Sequence, residues 1–258
     1  MKVIDTKKNS AEKNMIIDAN LLDNLKDQPI LHFYDWKKTS VTYGYFINIK
    51  KFINQKKANI TNLDLAKRPT GGGIVFHIWD IAFSFLMPAS HKYFYLDPLK
   101  NYEFVNSIVL KALKEFLDEK TESNISLSKS EYFNKKKSFD SFCMAKPTKY
   151  DVIYKGKKIA GASQRRKKTG YLHQASICLI QPDFNYLKDI LIEKDIADAI
   201  YKSSYPIFND GQIDERRKIV KKRLIESFNN YLRRFYSNTA SFNVTDLTYH
   251  DNIGILTE

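Results

Sequence analysis

Apolar residues recur along this chain with two periods, and the switches between them mark its elements. From Ser10 to Leu25 the positions Met15, Ala19, Leu22 and Leu25 fall at helical spacing, which predicts an opening amphipathic helix. Ile30–Tyr34 and Ser40–Tyr45 are short aromatic and β-branched runs separated by Asp35-Trp36-Lys37-Lys38, the pattern of a hairpin or meander. Gly44 breaks the second run near its end. Ile74–His77 and Ile81–Leu86 read as buried strands. Leu99–Lys120 returns to helical spacing, with Val105, Val109, Leu113 and Phe116 on one face. Thr121–Ser141 is polar, lysine-rich and without period, so it reads as a surface excursion. Tyr150–Tyr154 and Lys157–Ala160 flank a Lys155-Gly156 turn and predict a second hairpin, and His173–Leu179 predicts a further strand. From Asn185 on the pattern is helical. It ends in a long helix with Val220, Leu224, Phe228, Leu232 and Phe235 in register.

Composition narrows the class. With 258 residues and 43% hydrophobic content the chain can bury a sizeable core, as one large domain or as a domain with a small appendage. It contains no apolar run of about 18 residues, so no membrane-spanning helix is expected. The opening Met-Lys-Val-Ile-Asp-Thr-Lys-Lys lacks the apolar core and small-residue cleavage site of a signal peptide, so a cytoplasmic protein is expected. In that setting the two cysteines, Cys143 and Cys178, are expected to stay reduced. A net charge of +13 is gathered at Lys135–Lys137, Arg165–Lys168, Arg216–Arg223 and Arg233-Arg234. Such clusters attract anionic partners. Nucleic acid is not expected, because neither zinc-finger spacing nor an RNP-type strand is present; acidic carrier proteins are the other candidate. Lysine is abundant throughout, so part of this charge is also readable as a plain solvated surface.

Candidate chemistry gathers in two blocks. The first is Lys67-Arg-Pro-Thr-Gly-Gly-Gly-Ile-Val-Phe-His77, which holds three of the nine glycines in the chain. Glycine loses the most backbone freedom on folding, so a triplet belongs where a ligand or another strand comes close to bare backbone. The phosphate-cradling and dinucleotide-binding glycine patterns do not fit, because these glycines feed a strand. On the residues alone a strained hairpin and a ligand loop remain equally open. The second block is Cys143-Met-Ala-Lys-Pro-Thr-Lys-Tyr-Asp151 with Gly156-Lys-Lys-Ile-Ala-Gly-Ala-Ser-Gln-Arg165. A cysteine ahead of a proline-fixed turn, facing a lysine on the next hairpin, suits a nucleophile with a cationic neighbour. A small buried hydrophobe is the other reading of Cys143, and the only one for Cys178, inside the apolar Ile177-Cys-Leu-Ile180. Lys158 lies where a strand meets a small-residue turn, a place from which an ammonium can reach a carboxylate, phosphate or carbonyl oxygen; a solvated hairpin lysine beside Lys155 and Lys157 is the other reading. His77 and His173 lack metal-ligand spacing and read as hydrogen-bonded structural histidines, so no metal is expected.

Taken together, Arg68-Pro-Thr-Gly-Gly-Gly-Ile-Val-Phe-His77, Gly156-Lys-Lys-Ile-Ala-Gly-Ala162 and Leu172-His-Gln-Ala-Ser-Ile177 resemble the lipoate-protein ligase A and octanoyltransferase family, related to biotin ligases. Fainter likeness lies in Ser10-Ala-Glu-Lys-Asn-Met-Ile-Ile-Asp18 and in Phe33-Tyr-Asp-Trp36 with Val41-Thr-Tyr-Gly44. The resemblance covers residues 10 to 235. It implies an α+β fold, a mixed β-sheet flanked by helices, with a catalytic domain over residues 1–240 and a tail over 241–258. It also implies that the glycine loop covers a bound acyl group and that Lys158 meets its carbonyl end. Arg68, Thr70, Gly71, Gly72, Gly73, His77, Gly161 and Ala162 then line the substrate site, with Cys143 and Lys158 catalytic.

The family activates its acyl group in two ways. Ligases form an acyl-adenylate from ATP with Mg2+ and pass it to a lysine of an acidic lipoyl domain. Cysteine-dependent octanoyltransferases attack a carrier-protein thioester, with no cofactor. Cys143 with Pro147-Thr-Lys-Tyr-Asp151 resembles the cysteine segment of the second group. Gly73 completes a triplet common in ligases, whereas the His-Asp pair of ligases is His77-Ile78 here, with Asp80 displaced. The expected activity is therefore attachment of an octanoyl or lipoyl group to a lipoyl domain through Cys143, with an ATP-dependent ligase as the alternative. A basic, non-enzymatic binding module is the remaining reading. Expected partners are acyl carrier protein, octanoate or lipoate, and acidic acceptors such as the glycine cleavage H protein or dehydrogenase E2 subunits. Arg165–Lys168 are expected to steer these acidic domains to the mouth of the site.

Overall fold

Strands Asp80–Pro88 (β6) and Gly170–Cys178 (β10) are buried at every residue and pair antiparallel through the centre of the molecule. The computed structural model describes residues 1–117, 124–130, 137–209 and 211–233. Around the central pair a seven-stranded sheet takes the order β1-β2-β6-β10-β9-β8-β7. Its other members are β1 (Lys2–Asn9), β2 (Ile30–Trp36), β7 (Ile125–Leu127), β8 (Val152–Tyr154) and β9 (Lys157–Lys167). β1 runs parallel to β2 and the other pairs are antiparallel, so the sheet is mixed, as expected.

Residues of alternating parity cover the two faces. On one face Phe83, Phe85 and Ile177 meet helix α3 (Pro98–Lys114) and the long C-terminal helix, which spans Ile213–Arg233. Val220, Leu224, Phe228 and Leu232 recur every fourth residue along that helix and are all buried. Phe228 packs on Phe85 with ring centroids 4.9 Å apart. Truncating such a buried aromatic side chain to alanine costs about 3–5 kcal/mol. The opposite face takes helix α1 (Ala11–Asp23), whose Leu22 meets Leu86 and Leu172, and whose Ser10 cap accepts from the Lys13 N–H. Beside α1 on this face stands a small second sheet, β4-β3-β5, made of Asp64–Lys67, Ser40–Tyr43 and Ile74–His77. Helices α2 (Gln55–Ile60), α4 (Phe184–Ile190) and α5 (Lys194–Ser203) support it through Ala58, Leu187, Ile190, Ile196 and Ile200.

Three expectations change. The Ile30–Tyr34 and Ser40–Tyr45 runs are strands but not a hairpin. Both edges of β2 are taken by β1 and β6, so the chain leaves after Trp36 and β3 founds the second sheet. The segment read as a surface excursion contributes β7 and a 3-10 turn over Lys137–Ser141. The helix expected to run to Lys120 ends at Lys114, so Phe116 lies beyond it. Phe235 and the tail over 241–258 lie outside the described residues. The second predicted hairpin is present as β8 and β9.

Candidate active site

The glycine segment links β4 of the small sheet to β5, and its conformation is held by one buried cation. Arg68, 5% exposed, donates from Nη1 to the Thr42 carbonyl and hydroxyl, and from Nη2 to the Gly71 and Gly73 carbonyls at 3.1 and 2.7 Å. Thr70, fully buried, bonds across the cleft to Ser163 Oγ at 2.7 Å and to Gln174 Oε1 at 2.6 Å. Gln174 in turn donates to Asp18 on α1 at 2.6 Å, and Asp18 also pairs with His32. Arg68 and Thr70 thus clamp the loop from both sides, a duty their polar types require once they are buried.

The three glycines serve different ends. Gly72 has φ +81°, and a β-carbon there would sit 3.7 Å from the Cys143 sulfur. Gly73 lies against the chain that leads into Cys143, where a β-carbon would come 2.3 Å from the Ser141 carbonyl oxygen. Gly71 faces open space. Gly44 closes the arrangement, because a β-carbon there would fall 1.9 Å from the Gly72 carbonyl oxygen.

This close approach positions Cys143. Its N–H donates to the Ile74 carbonyl at 3.2 Å, and its sulfur accepts from the Gly73 N–H at 3.2 Å. The thiol is partly exposed and unbridged, at the wall of a cleft of about 420 Å³ measured to its open mouth. Met15, Tyr34, Val75, Met144 and Ala175 supply apolar lining, with Arg68, His77, Lys158, Gly161, Ala162 and Ser163 among the rest. Met144 and Ser176 also border a second, apolar space of about 380 Å³ lined by Ile74, Phe76, Trp79 and Cys178.

Across from the glycine loop, β9 brings Lys158 into the cleft at 3% exposure. Its ammonium donates to the Cys143 carbonyl at 2.8 Å and pairs with Asp151 Oδ2 at 2.7 Å. Asp151, fully buried, is held by the Thr148 N–H and hydroxyl at 2.6 and 2.8 Å. Gly161 is glycine because the Lys158 side chain occupies its β-position, with Cε 2.1 Å away. Ala162 lines the cleft and its carbonyl accepts from the Tyr102 hydroxyl. Burial raises the Tyr102 phenol, and the neighbouring Asp151 and Cys143 add to the shift, so this hydroxyl stays a donor.

His77 borders the cleft with its ring stacked on Trp36 at 4.2 Å. It bonds to Thr42 and, through Nδ1, to Asp80 Oδ2, both at 2.8 Å. The displaced Asp80 therefore does reach His77, three residues on. His173 projects to the opposite face of the sheet, against Tyr102 and Gln164, where burial lowers its pKa to about 3. Burial also pushes the Cys178 thiol up, consistent with an inert core position. Of the basic cluster, Arg165 bonds to the Pro69 carbonyl beside the glycine loop at 3.1 Å, while Lys167 pairs with Asp23. Asp151, Asp18, Ser163 and Gln174 were not singled out in the sequence, although each lies within or beside a quoted motif.

The arrangement offers a partly exposed thiol with a backbone N–H on its sulfur and a buried ammonium on its main chain, beside a cleft with apolar lining. Among the described residues no cluster of metal-ligating side chains occurs and no helix is long and apolar enough to cross a membrane. An octanoyltransferase LipM of Macrococcus caseolyticus is 32% identical over 249 residues, which cover 95% of this chain and 78% of that protein. Among solved structures, a lipoate-protein ligase A bound with ATP superposes with a TM-score of 0.67 at 20% identity, over 92% of this chain and 94% of that one. A bipartite lipoate protein ligase from Thermoplasma acidophilum, studied with its E2 lipoyl domain, gives 0.62 at 20% identity over 92% of each chain. Residues 10–234, which carry the glycine loop, Cys143 and Lys158, match the lipoyl protein ligase A/B catalytic domain, and the chain belongs to that family.

Proposed function

We propose that this protein transfers an octanoyl group from a carrier thioester to the lysine of a lipoyl domain, by way of a thioester on Cys143. The observation that carries the route is the meeting of the Cys143 sulfur with the Gly73 N–H at 3.2 Å while the Lys158 ammonium lies against the same residue's carbonyl at 2.8 Å. One donor thus touches the sulfur and a second touches the same residue's main chain, on the cleft wall where the tetrahedral oxyanion of an acyl group bonded to Cys143 would form. The octanoyl-LipM relatives and the cysteine segment support the same reading.

In the first step the Cys143 sulfur bonds to the acyl carbon, and the carrier thiol leaves with the proton that Cys143 gives up. In the second the acceptor amine attacks the acyl-enzyme, an amide forms, and an amine proton restores the Cys143 thiol. Lys158 and the loop N–H groups hold the oxyanion in both steps. Asp151 positions Lys158, and Arg68 and Thr70 keep the loop in register. Gly72 and Gly73 let the loop pack against the Cys143 segment, His77 borders the acyl chain's apolar path, and Gly161 and Ala162 form the floor under its carbonyl end. The acceptors are lipoyl-domain proteins such as the glycine cleavage H protein or E2 subunits, and the donor is an acyl carrier protein in the cytoplasm.

The thioester route needs no cofactor, whereas an adenylating route needs ATP with Mg2+. Intact mass after mixing with octanoyl-carrier protein in the absence of ATP separates them. Wild type gains one octanoyl group and Cys143→Ser gains none. Modification of a lipoyl domain only with ATP and free lipoate, equally well in Cys143→Ser, would replace the thioester route with the ligase one.

A further inference from the structure

Directly after β3 the chain makes a tight turn, closed by the Ile47 N–H on the Gly44 carbonyl at 3.0 Å, with Tyr45 and Phe46 at its two central positions. Such corners are normally filled by Gly, Pro, Asn, Asp or Ser, whose backbone or side chains favour the turn. Here they carry two aromatic side chains, 54% and 91% exposed, with their rings edge to face at 5.2 Å. Neither packing nor turn propensity accounts for them. Exposed apolar surface of this kind beside a reactive site marks a place where another molecule binds.

The turn is strapped to the glycine loop. The Gly44 N–H donates to the Gly73 carbonyl at 3.1 Å and the Tyr45 N–H to the Thr70 carbonyl at 3.2 Å. Phe46 follows Gly44 by two residues, and Gly44 abuts Gly72, which faces the Cys143 sulfur. The aromatic corner is therefore tied by its own backbone to the loop that meets the Cys143 sulfur. Its surroundings are basic: Lys67 lies 5.2 Å over the Tyr45 ring, and the exposed Lys50 and Lys51 follow in the next turn. Arg165, also exposed, contacts the Pro69 carbonyl on the loop itself.

We propose that the Tyr45–Phe46 corner and its basic ring dock the acidic acceptor domain, with Phe46 as the apolar anchor. This rests on the acyl-transfer reading above. The acceptor fits this place better than the donor for a reason of reach. A lysine has only a four-carbon stem, so the acceptor's own surface must press against the mouth, whereas an acyl group delivered on a long prosthetic arm leaves its carrier free to dock further away. An exposed aromatic centre with charges at its rim is also the usual anatomy of a specific protein contact.

The test compares wild type, Phe46→Ala and Phe46→Glu in two assays. One is titration of the resting enzyme with an unmodified lipoyl domain, followed by chemical shifts. The other is the rate of octanoylation of Cys143 by a small octanoyl thioester. Docking at this corner predicts that Phe46→Glu weakens lipoyl-domain binding at least about tenfold and Phe46→Ala by less, while self-octanoylation is unchanged. Equal binding by wild type and Phe46→Glu overturns the proposal. So does a loss confined to octanoylation by octanoyl-carrier protein, run as a control beside the small thioester, which would assign the corner to the donor. Absence of any octanoyl adduct on wild type overturns the thioester reading instead, and the binding titration still decides the docking site.

Discussion

The two walls of the cleft each bury a cation, and they use it in opposite ways. On the small-sheet wall Arg68 spends its guanidinium on neutral oxygens, two from Thr42 and the carbonyls of Gly71 and Gly73. On the β9 wall Lys158 has a carboxylate partner, Asp151, and directs a remaining donor at the Cys143 carbonyl. Arginine's planar fork suits the first task because it can bridge several acceptors at fixed angles. A lysine paired with a carboxylate on one side and bonded to the main chain of Cys143 on the other suits the second. Two buried cations of the same charge thus hold different things, and the partner sets which.

Breaking the β9 wall should have the largest effect. Lys158→Met is expected to slow octanoylation of Cys143 by about 10²–10³-fold, the cost of losing an oxyanion donor. It also leaves a buried carboxylate unpaired, which costs about 3–5 kcal/mol. Adding Asp151→Asn to that variant should recover most of the stability, read by denaturant titration, and none of the rate. Recovery of both would make Lys158 a purely structural cation.

Breaking the other wall should act through the loop. Arg68→Met strands the Thr42, Gly71 and Gly73 oxygens, at about 1–3 kcal/mol, and should lower Tm by roughly 5 °C. Arg68→Lys should not restore it, since a point charge cannot bridge both sides. An unchanged Tm with a lost rate would instead place Arg68 on the substrate.

The smallest effects test the seam between the walls. Gly73→Ala forces the Ser141 carbonyl away and should slow octanoylation measurably, because the Cys143 segment moves with it. Gly71→Ala, with open space at its β-position, should stay within about 0.5 kcal/mol of wild type and keep its activity. A matching loss in both would mean that loop flexibility, and not close approach, sets the rate.

Local pattern revealed the elements but not their partners. The runs that became β2 and β3 read correctly as strands, yet nothing in either run shows that β2 would have both edges filled and so send β3 to another sheet. β1 was missed because Lys-Val-Ile-Asp-Thr-Lys-Lys-Asn is an edge strand whose lysines hide its period. In the site, Cys143, Lys158 and the glycine triplet stood out as rare residues in rare company. Gln174 and Asp18 did not, because their contact joins residues 156 apart in the chain, and Asp151 meets Lys158 only once the β8–β9 turn brings the two together. The triplet itself looked uniform, and only the fold separates the open Gly71 from the crowded Gly73.

Cys143 is held in place by its main chain: its N–H on the Ile74 carbonyl, its carbonyl on Lys158, and its neighbour Phe142 bridged to Ile74. Its side chain adds the Gly73 N–H on the sulfur at 3.2 Å. A residue located largely by its backbone can be replaced at its side chain while the slot and the loop keep their course, so the chemistry of the thiol and the shape around it are separable by mutation.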